Sequence, residues 1–361
     1  MNGPIQSYAS MADAAIVEKN SKQQKWFPLR PSSAGKCSRL LAYELMAYKG
    51  KGELVEEQRR PSVWRLLELG HYVEDQTIAN LEKIPEFAVR FKQQLLDFFV
   101  LPSGQRVEGS TDAVMWSDKH RCVLDVKSVG DRFHSQFGTK WRGMLAGYSK
   151  MQHCVQFDTN SFYIENLPAF IKELGSEDSL YDNLLQVNSY CCTPFMQARD
   201  VDHGVVLRYN KNTSELSEIR FKPSMELFEA LKAQFTAIEA AVEANNPDAA
   251  PKDFILGSVK CAYCPMQSHC WPKATKGEVF ANSPKKNWAT PVADLEKGEE
   301  IEVLLAERTK HESSKANMAK VDESILLLMD GHGVTKIKAK DGSVYDKVQL
   351  AKEVQLRRGK E

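Results

Sequence analysis

The sequence predicts an α/β protein built on one mixed sheet flanked by helices, and three observations carry that prediction. Two segments with helical apolar spacing, 32–50 and 62–82, precede a stretch in which the period changes. There LLDFFVL, VEGSTDAVMW and CVLDVKSV are apolar or alternating runs separated by the turn-rich links PSGQR and SDKHR, which reads as a β-meander. Further on, HGVVLRYNK and LSEIRF flank NTSE as a second hairpin, and PSMELFEALKAQFTAIEAAVEA follows as a strong helix. The order helix, sheet, helices, strands, helix is that of a layered α/β domain.

Composition bounds the answer. A chain of 361 residues with 42% hydrophobic and 27% charged residues can bury a core as one large domain or two modest ones, which excludes disorder as the main state. Forty-eight basic residues are matched by forty-eight acidic ones, so a polyanionic partner has to be held by local basic patches. No run of 18 apolar residues occurs, and MNGPIQSYASMADAAIVEKNSKQQ lacks the three-part pattern of a secretory signal. The expectation is a soluble, cytoplasmic protein with no membrane partner. Eight cysteines are too sparse for a disulfide scaffold in such a setting, which points to thiolates for a metal or cluster.

Residues 1–31 are polar and weakly patterned and read as a flexible leader. From Ser32 small hydroxyl residues open a helix with Leu40, Leu41, Tyr43, Leu45, Met46 and Tyr48 on a broad apolar face, ended by Gly-Lys-Gly at 50–52. Ser62 can cap the next helix, with Val63, Leu66, Leu67, Val73, Ile78 and Leu81 near helical spacing. Residues 131–200 read as mixed and largely helical, YDNLLQVNSYCCTPFM being the clearest piece. Beyond Lys276 the chain turns polar and proline-broken, so 32–276 is assigned to a core and 277–361 to a C-terminal extension. That extension is expected to hold one long helix, then two short strands about the type I′ signal Asp341-Gly342.

The meander carries the chemistry. Asp125 and Lys127 are two apart on a strand and project from one face. If the run holding Asp112 pairs beside it, two carboxylates come close, an arrangement that is expensive unless a cation sits between them. Oxygen-rich sites of this kind suit Mg²⁺ or Mn²⁺, and a neighbouring lysine can orient a water or stabilise charge on a phosphoryl transition state. An Asp-x-Lys in a strand is common, but here it keeps company. Gly109-Ser-Thr-Asp112 lies one hairpin earlier, Gly70-His-Tyr-Val-Glu74 on the preceding helix, and Gln186 and Tyr190 share a face of a later helix.

In these motifs and their order the sequence resembles the RecB-like branch of the PD-(D/E)XK nucleases. The resemblance implies a restriction-endonuclease-like fold, with Glu74, Asp112 and Asp125 as metal ligands and Asp112, Asp125, Lys127, Gln186 and Tyr190 as the catalytic set. By the family's spacing Glu74 is in register as the helix ligand, and His71 is the competitor. The sequence departs from the pattern in having Thr111 before Asp112, and in a long stretch between Lys127 and Gln186 that an inserted helical lobe would explain.

Cys261-x2-Cys264-x5-Cys270 places three thiols within ten residues, and a four-ligand site needs one more from Cys37, His269, Cys122, Cys154, Cys191 and Cys192. The arrangement is similar to the iron–sulfur subgroup of the same nucleases, which includes the AddB nuclease domain and the CRISPR-associated RecB-like exonucleases. That resemblance implies a [4Fe–4S] cluster on Cys37, Cys261, Cys264 and Cys270, with Arg39 kept from the family's C-x-R. Zinc in the same ligands is the alternative. The remaining cysteines read as packing residues.

For DNA contact the basic clusters Lys36/Arg39, Arg59/Arg60/Arg65 and Lys140/Trp141/Arg142 are candidates, the last because it joins charge to a ring on which an unpaired base could stack. The tail resembles more loosely the helix-plus-hairpin extension of YqaJ-like phage recombination nucleases, and could serve self-association or a single-strand-annealing or replication protein. The expected function is a metal-dependent DNA exonuclease of phage or mobile-element recombination, replication or repair. The alternatives are a catalytically silent DNA-end-binding or assembly subunit, or a nuclease active only with a partner protein.

Overall fold

The computed structural model describes residues 8–21, 27–52, 61–117, 119–130, 141–279, 290–291, 298–310, 315–331, 336–339, 344–349 and 354–358. The chain divides into two units, Met1–Ile255 with Cys264–Met266, and Leu256–Tyr263 with Gln267–Glu361. Among the described residues no helix is long and apolar enough to cross a membrane.

In the first unit the elements run α1 (Tyr8–Ser21), α2 (Ser38–Tyr48), α3 (Pro61–Leu81), β1 (Ala88–Arg90), β2 (Gln94–Val100), β3 (Arg106–Thr111), β4 (Ala113–Trp116) and β5 (Arg121–Val129). They continue with α4 (Trp141–Tyr148), β6 (Cys154–Asp158), β7 (Ser161–Ile164), α5 (Leu167–Leu174), α6 (Ser179–Cys191), α7 (Pro194–Gln197), β8 (His203–Asn210), β9 (Leu216–Phe221) and α8 (Met225–Glu243). Seven strands form one mixed sheet in the order β1-β4-β5-β8-β9-β7-β6, with β5 parallel to β8 and β7 parallel to β9.

Two expectations are corrected. The runs read as one meander belong to two sheets, because VEGSTDAVMW is split at Asp112: Thr111 still pairs with Gln94 of β2, whereas Ala113 pairs with Leu124 of β5. Residues 131–200, read as mixed and largely helical, hold α4 to α7 among the described residues, with the hairpin β6–β7 as the mixed part. β6 is an edge strand exposed at every position after Cys154, so it shows no buried alternation to read. The leader, where the sequence predicts no element, holds α1, whose sequence YASMADAAIVEKNS has no apolar stripe to announce it.

The helices start and stop for local reasons. α2 begins at Cys37, whose side chain makes no cap; instead the Ser38 backbone N–H donates to Asp253 Oδ2 at 2.5 Å, satisfying an orphan donor of the first turn. It ends at Gly50, whose φ of 69° lies in the left-handed region. α6 and α8 carry ordinary caps from Asp178 and Ser224, whose side chains accept from Leu180 and Leu227.

A buried polar network ties α4, α6 and β8 together. Arg208 on β8 is fully buried, and its guanidinium donates to Tyr148 Oη at 3.0 Å and Ser179 Oγ at 3.3 Å. Tyr148 donates in turn to Asp178 at 3.0 Å, so the residue that caps α6 also anchors it to the sheet. Burial pushes the Tyr148 phenol well above its usual range and keeps it a donor.

The second unit contains α9 (Val259–Ala262), α10 (Gln267–Cys270), α11 (Lys276–Val279), β10 (Thr290–Pro291), α12 (Gly298–Lys310), α13 (Lys315–Gly331), β11 (Lys336–Lys338), β12 (Val344–Gln349) and β13 (Val354–Arg358). The last four strands form one sheet, with β11 and β12 antiparallel. The turn expected at Asp341-Gly342 lies outside the described residues. The long helix expected for the tail is assigned as α12 and α13, and Ile301, Leu305, Val321, Ile325 and Met329 join Ile337 and Tyr345 in a separate core.

Tyr148→Phe removes the centre of the Arg208–Asp178 network and leaves buried partners on both sides. Urea denaturation is expected to show a loss of about 1–3 kcal/mol.

Candidate active site

The site grows from the point where the chain changes sheets. β4 pairs with β5 from Ala113↔Leu124, which puts Asp112, just outside β4, opposite Asp125. Asp112 Oδ2 accepts the Val126 backbone N–H at 2.7 Å, so the carboxylate is locked against the neighbouring strand. Asp125 is fully buried, and Lys127, two residues on and on the same face, lies with Nζ 2.9 Å from its carboxylate oxygens. Asp125 Oδ2 has ion-pair distance to Lys127 but no hydrogen-bond partner, leaving one lone-pair-rich oxygen buried and unsatisfied.

Glu74 reaches the same place from α3. Its carboxylate accepts from Gln93 Nε2 at 2.5 Å and interacts electrostatically with both Lys127 and Asp125. His71, the alternative ligand, lies 3.9 Å from Glu74 Oε2, and its side chain is 79% exposed. α3 packs on β5 where Gly70 sits; a Cβ there would stand 3.4 Å from Ser128 Oγ, which gives the glycine of this motif a packing reason. Gly109 has a stronger one, since its Cβ would meet Pro31 Cδ at 3.0 Å and Phe98 Cε2 at 3.5 Å.

From α6, Gln186 Nε2 donates to Tyr190 Oη at 2.9 Å. Tyr190 is buried with its ring 5.5 Å from Phe98, and its hydroxyl feels the charges of Asp125, Lys127 and Asp112. Burial holds the phenol protonated well above neutral pH.

The electrostatics are those of a site one cation short. Burial, and next the Asp125 charge, pushes Asp112 up to about 8, with Glu74 adding to the rise. Burial likewise raises Asp125 and Glu74 above the usual carboxylate range. Burial works against the Lys127 ammonium, but Asp125 and Asp112 outweigh it and hold the lysine charged. One lysine thus faces three carboxylates. Oxygen donors of this kind, one of them orphaned, suit a hard divalent ion such as Mg²⁺ or Mn²⁺, although the three carboxylates as a set do not all lie within 4.8 Å of one another.

Gln93 is the residue that sequence reasoning missed. Its backbone N–H donates to Asp112 O at 3.1 Å while its side chain holds Glu74, so one residue positions two acidic groups from opposite sides of the site. It does so from a left-handed φ of 49°, unusual outside glycine. No signal in the sequence marks it.

The residues singled out for DNA contact fare differently. Trp141 is buried on α4 at 3% exposure, so the expectation of a base-stacking ring is corrected: Trp141, Met144, Leu145 and Tyr148 form the inward face of an amphipathic helix. Arg142 is exposed and pairs with Glu215 at 3.1 Å, and Lys140 lies outside the described residues. Arg39 is mostly buried, donates to Ala250 O at 2.9 Å and to Asp248 O, and so fastens α2 to the 248–250 turn rather than facing DNA.

The cysteines separate by environment. Burial pushes Cys122 and Cys192 up to about 12 and Cys154 to about 11, and raises Cys191 strongly, so these four thiols are inert packing groups. Cys37 stands half-buried at the N-terminus of α2. Cys261 lies buried in α9, and Cys264 and Cys270 are half-buried.

A seven-stranded mixed sheet flanked by helices fits a restriction-endonuclease-like fold. No protein-family profile matches the chain, and no curated protein does. Among solved structures, SSO0001 overlaps at 13% identity and a TM-score of 0.39, covering 75% of this chain and 99% of its own. The alkaline exonuclease LHK-Exo from Laribacter hongkongensis, solved also in complex with dAMP, overlaps at 12% identity and a TM-score of 0.31, covering 61% of this chain and 92% of its own. Overlaps of this size leave the reading of the site to its own geometry.

The raised Asp112 predicts a pH dependence. Between the usual 3.8 and about 8 the folded protein holds a proton there that the unfolded chain releases, so metal-free stability falls as pH rises through this window. Urea melts in chelator at pH 5 and pH 8 are expected to show that loss, and Asp112→Asn is expected to reduce it.

Proposed function

We propose that the protein is a metal-dependent deoxyribonuclease of the RecB-like PD-(D/E)XK type that hydrolyses phosphodiester bonds. The observation that carries this reading is the burial of Asp125 and Asp112 on adjoining strands beside Lys127, with one Asp125 oxygen unsatisfied and Glu74 close enough to act on them electrostatically. Structural buried acids are normally neutralised by partners, whereas here one ammonium faces three carboxylates and one of their oxygens has no hydrogen-bond partner.

Glu74, Asp112 and Asp125 would hold Mg²⁺ or Mn²⁺, which supplies Lewis acidity to the scissile phosphate and a more acidic water. Lys127 stays charged, orients the attacking water and stabilises the charge that develops on the phosphate oxygens. Gln186 fixes the Tyr190 hydroxyl, which remains a hydrogen-bond donor at neutral pH and can hold a phosphate oxygen of the strand. Gln93 keeps Glu74 and the Asp112 backbone in register. Exonuclease rather than endonuclease action follows the resemblance, as does a place in phage or mobile-element DNA recombination, replication or repair.

Cys37, Cys261, Cys264 and Cys270 are proposed to hold a [4Fe–4S] cluster, with zinc as the alternative. The spacing of the donor set supports this: three of the thiols lie within ten residues of one another and Cys37 stands at a helix N-terminus, whereas the other four are packing cysteines. Closing a loop from residue 37 to 261 would restrict the unfolded chain, which makes the group a structural staple. Cys261→Ser is expected to lose the visible absorption of anaerobically purified protein and to lower its melting temperature. An unchanged melt would remove the staple.

End-labelled linear and circular DNA, single- and double-stranded, incubated with the protein and Mg²⁺ or Mn²⁺, tests the activity. Linear DNA is expected to be degraded, and Asp125→Ala to abolish cutting while DNA binding persists. Lys127→Ala is expected to lower the rate by about 10²–10³. Degradation by wild type and Asp125→Ala alike would place the activity elsewhere.

A further inference from the structure

We infer that His120, Asp202 and His203 form a second metal site, one for a divalent transition metal of the zinc class, separate from the carboxylate centre. Among the described residues these three alone bring histidine, cysteine or acidic ligand atoms together as a group of three, all within 4.8 Å of one another. His120 Nδ1 stands 3.3 Å from Asp202 Oδ2, and His203 Nδ1 stands 3.1 Å from Asp202 Oδ1. Ligands bound to tetrahedral zinc at about 2.0–2.1 Å are separated by about 3.3 Å, so the two nitrogen–oxygen spacings are compatible with atoms sharing an ion. The two imidazole rings meet edge to face, with centroids 5.2 Å apart and planes at 89°.

Rigid backbone holds the three in place. His120 closes the β4–β5 turn, where its N–H donates to Ser117 Oγ at 3.0 Å and its carbonyl accepts from Ser117 N–H at 2.8 Å. Asp202 and His203 enter β8, and the parallel register sets His203 beside Cys122 of β5. Asp202 N–H donates to Arg121 O at 3.0 Å, and its Oδ1 accepts the Arg121 N–H at 2.9 Å, leaving Oδ2 to face His120. This outer bond orients the carboxylate as partners of metal ligands do.

His203 points to a ligand independently of the cluster. The residue is 9% exposed, and its buried Nδ1 meets Asp202 Oδ1 at 3.1 Å without forming a well-directed hydrogen bond. A buried imidazole nitrogen without a partner is costly, and a cation there would satisfy it together with both oxygens of Asp202. The Arg121 side chain is committed elsewhere: it donates to Arg199 O at 2.7 Å and pairs with Asp200 at 3.2 Å. Imidazole and carboxylate in a two-to-one set suit zinc over Mg²⁺ or Ca²⁺, which take oxygen. His203 lies on the sheet face of Cys122, Leu124 and Val205, opposite to that of Asp125, so the two centres do not share ligands.

The ion would join the β4–β5 turn to the start of β8 across 82 positions of sequence. The test titrates Zn²⁺ into chelator-treated full-length protein with excess Mg²⁺ present, comparing wild type with His120→Ala, an exposed turn position. Wild type is expected to bind one equivalent more, or to hold that equivalent more than about tenfold tighter. Zn²⁺ is also expected to protect His120 from diethyl pyrocarbonate, read by peptide mass, while exposed His71 and His153 stay reactive. Equal stoichiometry and affinity in the two proteins, or unprotected His120, would overturn the site. DNA cutting is expected to be unchanged in His120→Ala, so this outcome and the fate of the nuclease reading are independent.

Discussion

The constraint on which the first unit depends is the burial of Asp125 beside Asp112 with one lysine between them and bulk water. An ion pair taken out of water is at best neutral for stability, and a second carboxylate against it is unfavourable. Folding accepts that penalty because β5 is an interior strand of the seven-stranded sheet, paired on one side with β4 and on the other with β8, so Asp125 has nowhere else to go. The compensation is partial: Lys127 at 2.9 Å, the Val126 N–H on Asp112, and a proton on Asp112 up to a pH of about 8. A bound divalent ion would replace that proton, which couples metal binding to pH and to folding in the same group of residues.

The change of sheet at Asp112 makes this geometry possible. A strand that continued straight from β3 into β4 would keep alternating; by ending one pairing at Thr111 and starting the next at Ala113, the chain brings an aspartate out of the ladder and against Val126. Gly109 lets Pro31 close on β3, Gly70 lets α3 close on β5, and both approaches bring acidic residues of the same motifs toward Lys127. α6 is held from below by Asp178, Tyr148 and Arg208, so Gln186 and Tyr190 are aimed by a network that begins about two helical turns before them. Positioning comes from rigid elements, and the charged groups inherit it.

The fold class and the acidic groups were legible because their signals are local and periodic. Asp125 and Lys127 two apart in an apolar run, and Gln186 and Tyr190 four apart on a helix, declare a shared face without knowledge of the partner. What escaped depends on tertiary neighbours. β6 shows an exposed edge and so no alternation; Gln93 matters only because a left-handed turn sets it between Glu74 and Asp112. Trp141 was misread for the same reason in reverse, since a ring between two basic residues looks alike on a DNA-facing surface and at the start of an amphipathic helix. Arg39 is available by sequence alone, but the 248–250 turn takes its donors.

The His120, Asp202 and His203 cluster shows how far such dependence reaches. His120 reads in sequence as a polar turn residue, and Asp202-His203 as the polar approach to a strand; each is unremarkable alone. The parallel pairing of β5 with β8 is what makes them neighbours, and parallel pairs are joined by long crossovers that hide the relation from any local window. The same pairing sets Asp125 against Val206 on the other face of the sheet. One register therefore fixes both clusters: a slip of one residue between β5 and β8 would turn every side chain over, burying His203 with the acidic centre and carrying Val206 away from it. The sheet that isolates Asp125 is thus also what gathers the histidines.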